Sequence, residues 1–139
     1  MEDSKCFRLS LLAAATASLI RTDLRSLTTY SALVQQLGGP PGTAQPSPTF
    51  SHTLVKEAIS ILEREHFLFS GHVSSDGLLR GSYNNIDFAM KQIGIALTQR
   101  GPSHGEPIKT AIGALEGAAL ALEDIAKASL VQCLVEAGD

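Results

Sequence analysis

The chain has 139 residues and a formal net charge of −3, and it is 44% hydrophobic and 18% charged. This length is typical of a single domain, and the apolar fraction excludes disorder by composition. No segment is basic enough to form an evident nucleic-acid arm, and residues 102–139 carry an excess of acidic side chains. Cys6 and Cys133 lie at opposite ends of the sequence. They form neither a disulfide framework nor a zinc motif, so we expect two reduced thiols in a cytoplasmic protein.

The first predicted element is a helix over about Ser4–Leu27, in which Leu12, Ala15 and Leu19 recur at helical spacing. Its apolar run, residues 7–20, has the length of a signal-peptide core. Two acidic residues precede this run, where a signal peptide needs net positive charge, so we interpret the run as part of the first helix.

The stretch TTYSALVQQLG, residues 28–38, predicts a separate short helix. Thr28 or Thr29 is a suitable N-cap residue, and Gly38 is typical of a helix end. Between these two signals, apolar residues recur at the spacing of one buried helix face, at Tyr30, Leu33, Val34 and Leu37.

A proline-rich segment follows at Gly39–Pro48, with four prolines in ten residues. It predicts neither a helix nor a central strand. It is either a partner-binding loop or a mobile connector, and we favour the connector. A longer helix is predicted after it, over about Ser51–His66.

The stretch Phe67–Tyr83 predicts a short two-stranded β-hairpin, because SSDG lies between two apolar runs and Asp76-Gly77 suits a tight turn. Two further helices are predicted over Ile86–Gln99 and from Pro107 to about Ala137, where proline is well placed in the first turn.

The order of these elements over residues 5–83 resembles the winged helix-turn-helix superfamily. The resemblance implies that TTYSALVQQLG is the positioning helix, HTLVKEAISILEREHFL the recognition helix and FSGHVSSDGLLRGSY the wing. The predicted fold is therefore mainly α: a single domain over residues 1–139, winged-helix-like over 5–83 with one short β-hairpin. The C-terminal helices over 84–139 then form a helical hairpin that could serve as a dimerisation element.

Two functions are consistent with this pattern. The first is a non-enzymatic regulatory or adaptor protein that binds a protein partner, inhibitor and chaperone-type roles included, through the proline-rich loop and the exposed face of the helix over 51–66. The second is a winged-helix transcriptional regulator that binds DNA as a dimer. We favour the first, because the presumed recognition helix presents few cations for phosphates or base edges. The residues expected to contact the protein or DNA are His52, Thr53, Lys56, Ser60, His72 and Arg80.

Motifs of catalytic chemistry are missing from the sequence. There is neither a phosphate-binding glycine loop nor a nucleophile elbow. Glu63 and His66 have the Glu-x-x-His spacing of di-iron proteins, but no second such pair is visible. We therefore predict no enzymatic activity, no cofactor and no metal site.

The last predicted helix combines small residues four positions apart with a wide apolar arc. Such a helix is either the central element of the core or the seam of a dimer. We predict a homodimer, with a seam formed by Ile112, Gly113, Gly117 and Ala121.

Overall fold

The computed structural model describes the backbone of residues 2–37, 50–70, 73–98 and 105–138, and side chains over 6–32, 50–65, 77–96 and 105–135. Every element in these ranges is a helix. The predicted loop at 39–48 and His72 lie outside the described residues. The four helices are α1 (Glu2–Leu37), α2 (His52–Ser70), α3 (Val73–Thr98) and α4 (Gly105–Gly138).

The helices form a four-helix bundle in which each packs against two others. Contacts are most extensive between α1 and α4 and between α3 and α4, and α2 closes the ring by packing against α3 and α1. Adjacent pairs therefore supply most of the tertiary contact, as is typical of bundles.

Contacts between side chains show that α2 and α3 run antiparallel. Lys56 pairs with Asp87, and Glu63 pairs with Arg80. The two pairs are separated by the same number of residues on each helix, in opposite senses, so α2 and α3 form a helical hairpin.

The pair α1–α4 is antiparallel as well, and so is the pair α3–α4, because these two helices pack extensively and only residues 99–104 join them. Cys6 near the start of α1 is bonded to Cys133 near the end of α4, and Arg21 pairs with Glu123 further along both helices. On the other side of α4, Gly117 lies beside α3. Helix directions therefore alternate along the chain.

The core is one aliphatic cluster to which all four helices contribute. Alanines are fully buried on α1 and α4, and their small side chains let these two long helices approach closely. The largest buried side chains are Ile20 and Leu27 on α1, Ile59 and Leu62 on α2, Leu79 and Ile86 on α3, and Leu115 and Leu122 on α4.

The prediction of two helices over residues 4–38 is wrong, because α1 continues without a break from Glu2 to Leu37. Thr28 and Thr29 do not cap a new helix. Their hydroxyls donate to the carbonyls of Leu24 and Arg25, at 2.8 and 2.9 Å, one turn earlier in the same helix. Threonine can satisfy its hydroxyl in this way inside a helix, so its presence does not establish a boundary.

The predicted β-hairpin over Phe67–Tyr83 is also wrong, since α2 extends to Ser70 and α3 begins at Val73. The SSDG stretch belongs to the first turns of α3, where serine and aspartate are favoured for the same reason as in turns. Beyond it, Leu79, Ser82 and Ile86 are buried at helical spacing. With neither a wing nor a separate positioning helix in the described residues, the winged-helix-like fold class is not correct.

Candidate interaction surfaces

A charged cluster around an aromatic ring lies on the surface shared by α2 and α3. Lys56 forms an ion pair with Asp87, and Arg80 Nη2 lies 2.8 Å from Glu63 Oε2. The ring of Tyr83 has Lys56 Nζ 5.1 Å and Arg80 Cζ 5.0 Å from its centroid, within range for cation–π attraction. The pKa of Lys56 is raised, mainly by its hydrogen bond to Asp87. The cluster joins the two helices of the hairpin.

This cluster contains two of the residues predicted to contact a protein or DNA, Lys56 and Arg80. Both cations already have carboxylate partners, with which a phosphate would have to compete. The aromatic contact was not foreseen from the sequence, although Tyr83 follows Arg80 by three residues, the spacing of neighbours on one helix face. Thr53 and Ser60 are exposed on α2.

A buried carboxylate from α1 fixes the N-terminus of α2. Ser51 is the N-cap residue of α2, because its carbonyl accepts the first helical hydrogen bond, from the N–H of Val55 at 2.9 Å. The N–H of Ser51 donates to Asp23 Oδ2 at 3.0 Å. Burial raises the pKa of Asp23, and the Ser51 N–H and the nearby His52 partly oppose this shift. His52, another predicted contact residue, is half-buried, and its Nδ1 has no hydrogen-bond partner among the described residues.

The two cysteines form a disulfide, so the prediction of free thiols is wrong. Cys6 and Cys133 have a Cα–Cα distance of 5.7 Å, and both are buried between α1 and α4. The Ser10 hydroxyl lies 3.7 Å from Cys133 Sγ and is the donor, because a disulfide sulfur carries no hydrogen. Antiparallel packing of two long helices brings the beginning of one beside the end of the other. Cysteines near opposite ends of the sequence are the signal that could have indicated this pairing.

Exposed apolar side chains lie within five residues of Cys6 or Cys133 on both helices. Leu11 is 70% exposed, and Val131 and Val135 are 61% and 62% exposed. Because Cys6 and Cys133 join the two helices here, these side chains lie at the same end of the bundle. Contiguous exposed apolar areas on soluble proteins usually mark interaction sites. We define the apolar surface as Phe7 and Leu11 of α1 with Leu130, Val131, Leu134 and Val135 of α4.

The residues predicted to form a dimer seam on α4 do not share one environment. Ile112 packs against the hydrophobic core. A Cβ added at Gly117 would lie 3.5 Å from Nδ2 of Asn85 on α3, whereas one added at Gly113 would meet no atom within 4 Å. Ala121 is half-buried. Helix α4 is thus central to the bundle on two sides, and its remaining side faces outward.

Other classes of site were also sought. Among the described residues, no group of three or more His, Cys, Asp or Glu side chains is placed to hold a metal ion. In the same ranges, none of the helices combines the length and the apolar character needed to cross a membrane. Comparisons of the chain with protein-family models, with curated proteins and with solved structures gave no match. Function must therefore be inferred from the residues and their geometry.

Proposed function

We propose that this protein is a non-enzymatic regulatory or adaptor protein that acts by binding a protein partner. The observation that supports this proposal is the apolar surface around the Cys6–Cys133 disulfide, where six large apolar side chains are exposed. Inhibitor and chaperone-type roles both fall within this class.

Two features suit this surface for binding a protein. The disulfide fixes α1 and α4 relative to one another, so little conformational freedom is lost when a partner binds. The side chains are leucine, valine and phenylalanine, which gain free energy when a partner removes them from water.

The DNA-binding alternative receives less support. Its two main cations, Lys56 and Arg80, are held by Asp87 and Glu63, and the chain as a whole is acidic. Affinity for DNA depends on neutralising several phosphates with basic side chains. The cytoplasmic location remains a prediction, and the disulfide counts against it because cytosolic thiols are normally kept reduced.

The experiment that tests the proposal compares two substitutions in a proximity-labelling or affinity-capture assay in the native host. Leu11→Asp places a charge in the apolar surface, and Leu54→Asp places the same charge at a similarly exposed leucine on α2. We expect Leu11→Asp to remove a defined partner, with at least a tenfold loss of its enrichment, while Leu54→Asp retains it.

Both variants should keep the helix content of the parent protein, measured by circular dichroism, because both positions are exposed. The partner identified in this way should then bind the purified protein with the same dependence on Leu11. If the two substitutions have equal effects on every captured protein, the apolar surface is not the binding site and the proposal fails.

A further inference from the structure

The outward side of α4 carries a regular stripe in which every residue except the half-buried Gly117 is exposed. From Gly113 to Leu134, the residues of this stripe are alternately four and three positions apart, which is the spacing of a coiled-coil seam. Leu120, Val131 and Leu134 are half or more exposed, although they are large apolar side chains. We define the outer stripe as Gly113, Gly117, Leu120, Asp124, Lys127, Val131 and Leu134.

We propose that a second copy of this chain packs its own outer stripe against this one, with the two α4 helices antiparallel about a twofold axis between Asp124 and Lys127. The inference rests on the proposed function, because it names one protein that part of the exposed surface binds. The stripe is complementary to itself in this one register, and for this reason its expected occupant is a second copy of the chain.

In that register, six of the seven residues of the stripe face a complementary residue of the second copy's stripe, and Gly113 lies beyond its end. Asp124 faces Lys127 of the other copy, and the twofold axis repeats this pair. Leu120 faces Val131, and Leu134 faces Gly117, which carries no side chain and lies beside Asn85 of α3. Each pair of facing residues forms one layer of the seam. The layers thus pair an acidic with a basic side chain, an apolar with an apolar side chain, and a large residue with a small one.

Parallel pairing of the same stripe would be unfavourable. It would put Asp124 against Asp124 and Lys127 against Lys127, and like charges in facing positions of a seam are repulsive. The two charged layers thus specify direction and register, while the apolar layers supply the buried area. On the α3 side of the stripe, Ala121 and Ala128 are small enough to let the two helices approach closely.

The seam differs from the one predicted from sequence. Gly113 and Gly117 belong to it, and Ala121 flanks it. Ile112 does not contribute, because it packs on the core. Phe7 and Leu11 on α1 lie outside the stripe and remain available to a different partner.

Charge exchange tests the inference most directly. The single substitutions Asp124→Lys and Lys127→Asp each produce two like-charged layers, and we expect either to weaken dimerisation at least tenfold in analytical ultracentrifugation. The double variant Asp124→Lys/Lys127→Asp restores opposite charges in both layers and should dimerise as the parent protein does. Lys91→Asp, an equivalent change at an exposed lysine of α3, is the matched control and should leave the mass unchanged.

A second measurement tests the register. Leu120 and Val131 are separated by eleven residues, about 16 Å along one helix, which is too far for a disulfide within a chain. The double variant Leu120→Cys/Val131→Cys should therefore give covalent dimers under mild oxidation, whereas Leu54→Cys should not.

The inference is overturned if the parent protein is a single 14.7 kDa species at hundreds of micromolar, or if it dimerises but the charge variants behave like Lys91→Asp. Circular dichroism separates loss of pairing from loss of folding, because the monomeric variants should retain their helix content. A monomer whose partner binding still depends on Leu11 removes the second copy and leaves the proposed function standing. A dimer that shows no Leu11-dependent partner supports the pairing of two α4 helices and contradicts the proposal that another protein binds at Leu11.

Discussion

Asp23 is the side chain whose replacement gives the sharpest test of how the bundle is held together. It is only 5% exposed, and it accepts the hydrogen bond of the Ser51 N–H at the start of α2. Asp23→Ala removes the acceptor and leaves a backbone donor without a partner, which costs about 1–3 kcal/mol. Asp23→Asn keeps an oxygen acceptor of similar size and removes the charge.

At neutral pH, the alanine variant should be less stable than the asparagine variant by about 2 kcal/mol, or roughly 6–8 °C in Tm for a domain of this size. Thermal unfolding followed by circular dichroism measures this difference. Thr22→Ala, at an exposed neighbouring position of α1, serves as the control and should stay within about 0.5 kcal/mol of the parent protein.

The same position predicts a pH dependence with a definite sign. Burial raises the pKa of Asp23 above its ordinary value of 3.8, so the folded state prefers the protonated form. The contribution to stability is therefore complete below pH 3.8 and is lost as the pH rises through the pKa of the folded state. Relative to Asp23→Asn, the parent protein should lose stability as the pH rises from below 3.8 through the raised pKa of Asp23.

Urea titrations of the two proteins across this range give the comparison directly. A parent protein that gains stability relative to Asp23→Asn as the pH rises would show that hydrogen bonding to the carboxylate outweighs its burial. An equal Tm for the alanine and asparagine variants would refute the role of Asp23 as an anchor of α2.

Two further predictions concern the packing of α4. Cys133→Ser should lower the free energy of unfolding by about 2–5 kcal/mol, because the disulfide closes nearly the whole chain into a loop. The parent protein, reduced in denaturant and refolded under reductant, should show the same loss of stability. Leu122→Ala, at a fully buried position of α4, should lower the free energy of unfolding by about 2–5 kcal/mol, measured by urea unfolding, whereas Leu54→Ala at an exposed position of α2 should change it by less than about 1 kcal/mol. Equal losses for the two leucines would contradict the assignment of the core.

The helical character of the chain could be predicted from its sequence, but its division into helices could not. The last helix was predicted over 107–137, close to the observed Gly105–Gly138 of α4. The prediction was accurate here because proline in the first turn and continuous helical periodicity indicate the same helix. Thr28 led to the wrong prediction of a separate helix, and Asp76-Gly77 to the wrong prediction of a hairpin, because their local preferences for caps and turns are weak. A hydroxyl can bond back within a helix, and burial of Leu79 and Ile86 outweighs a glycine at an exposed helical position.

The contacts that join the helices to one another could not be predicted from the sequence. Asp23 and Ser51 are 28 residues apart, and Cys6 and Cys133 are 127 apart. No local pattern indicates such pairs, because they depend on which helices become neighbours. Once α1 and α4 are known to be antiparallel, the cysteine pairing follows from their positions near the two ends.

Two pairs of charged residues in the described part of the chain differ in what they face, and the difference bears on which surface is open to a partner. Lys56 and Arg80 pair with carboxylates across α2 and α3, so they hold helices of the same chain together. Asp124 and Lys127 are exposed on α4 three residues apart, and in the proposed register each also faces its opposite in a second, antiparallel α4. Exposed ion pairs stabilise a fold by little, typically below about 1 kcal/mol, but opposed charges discriminate strongly between registers. Lys56 and Arg80 are therefore paired within one chain, whereas Leu120, Val131 and Leu134 on α4 are left exposed by it.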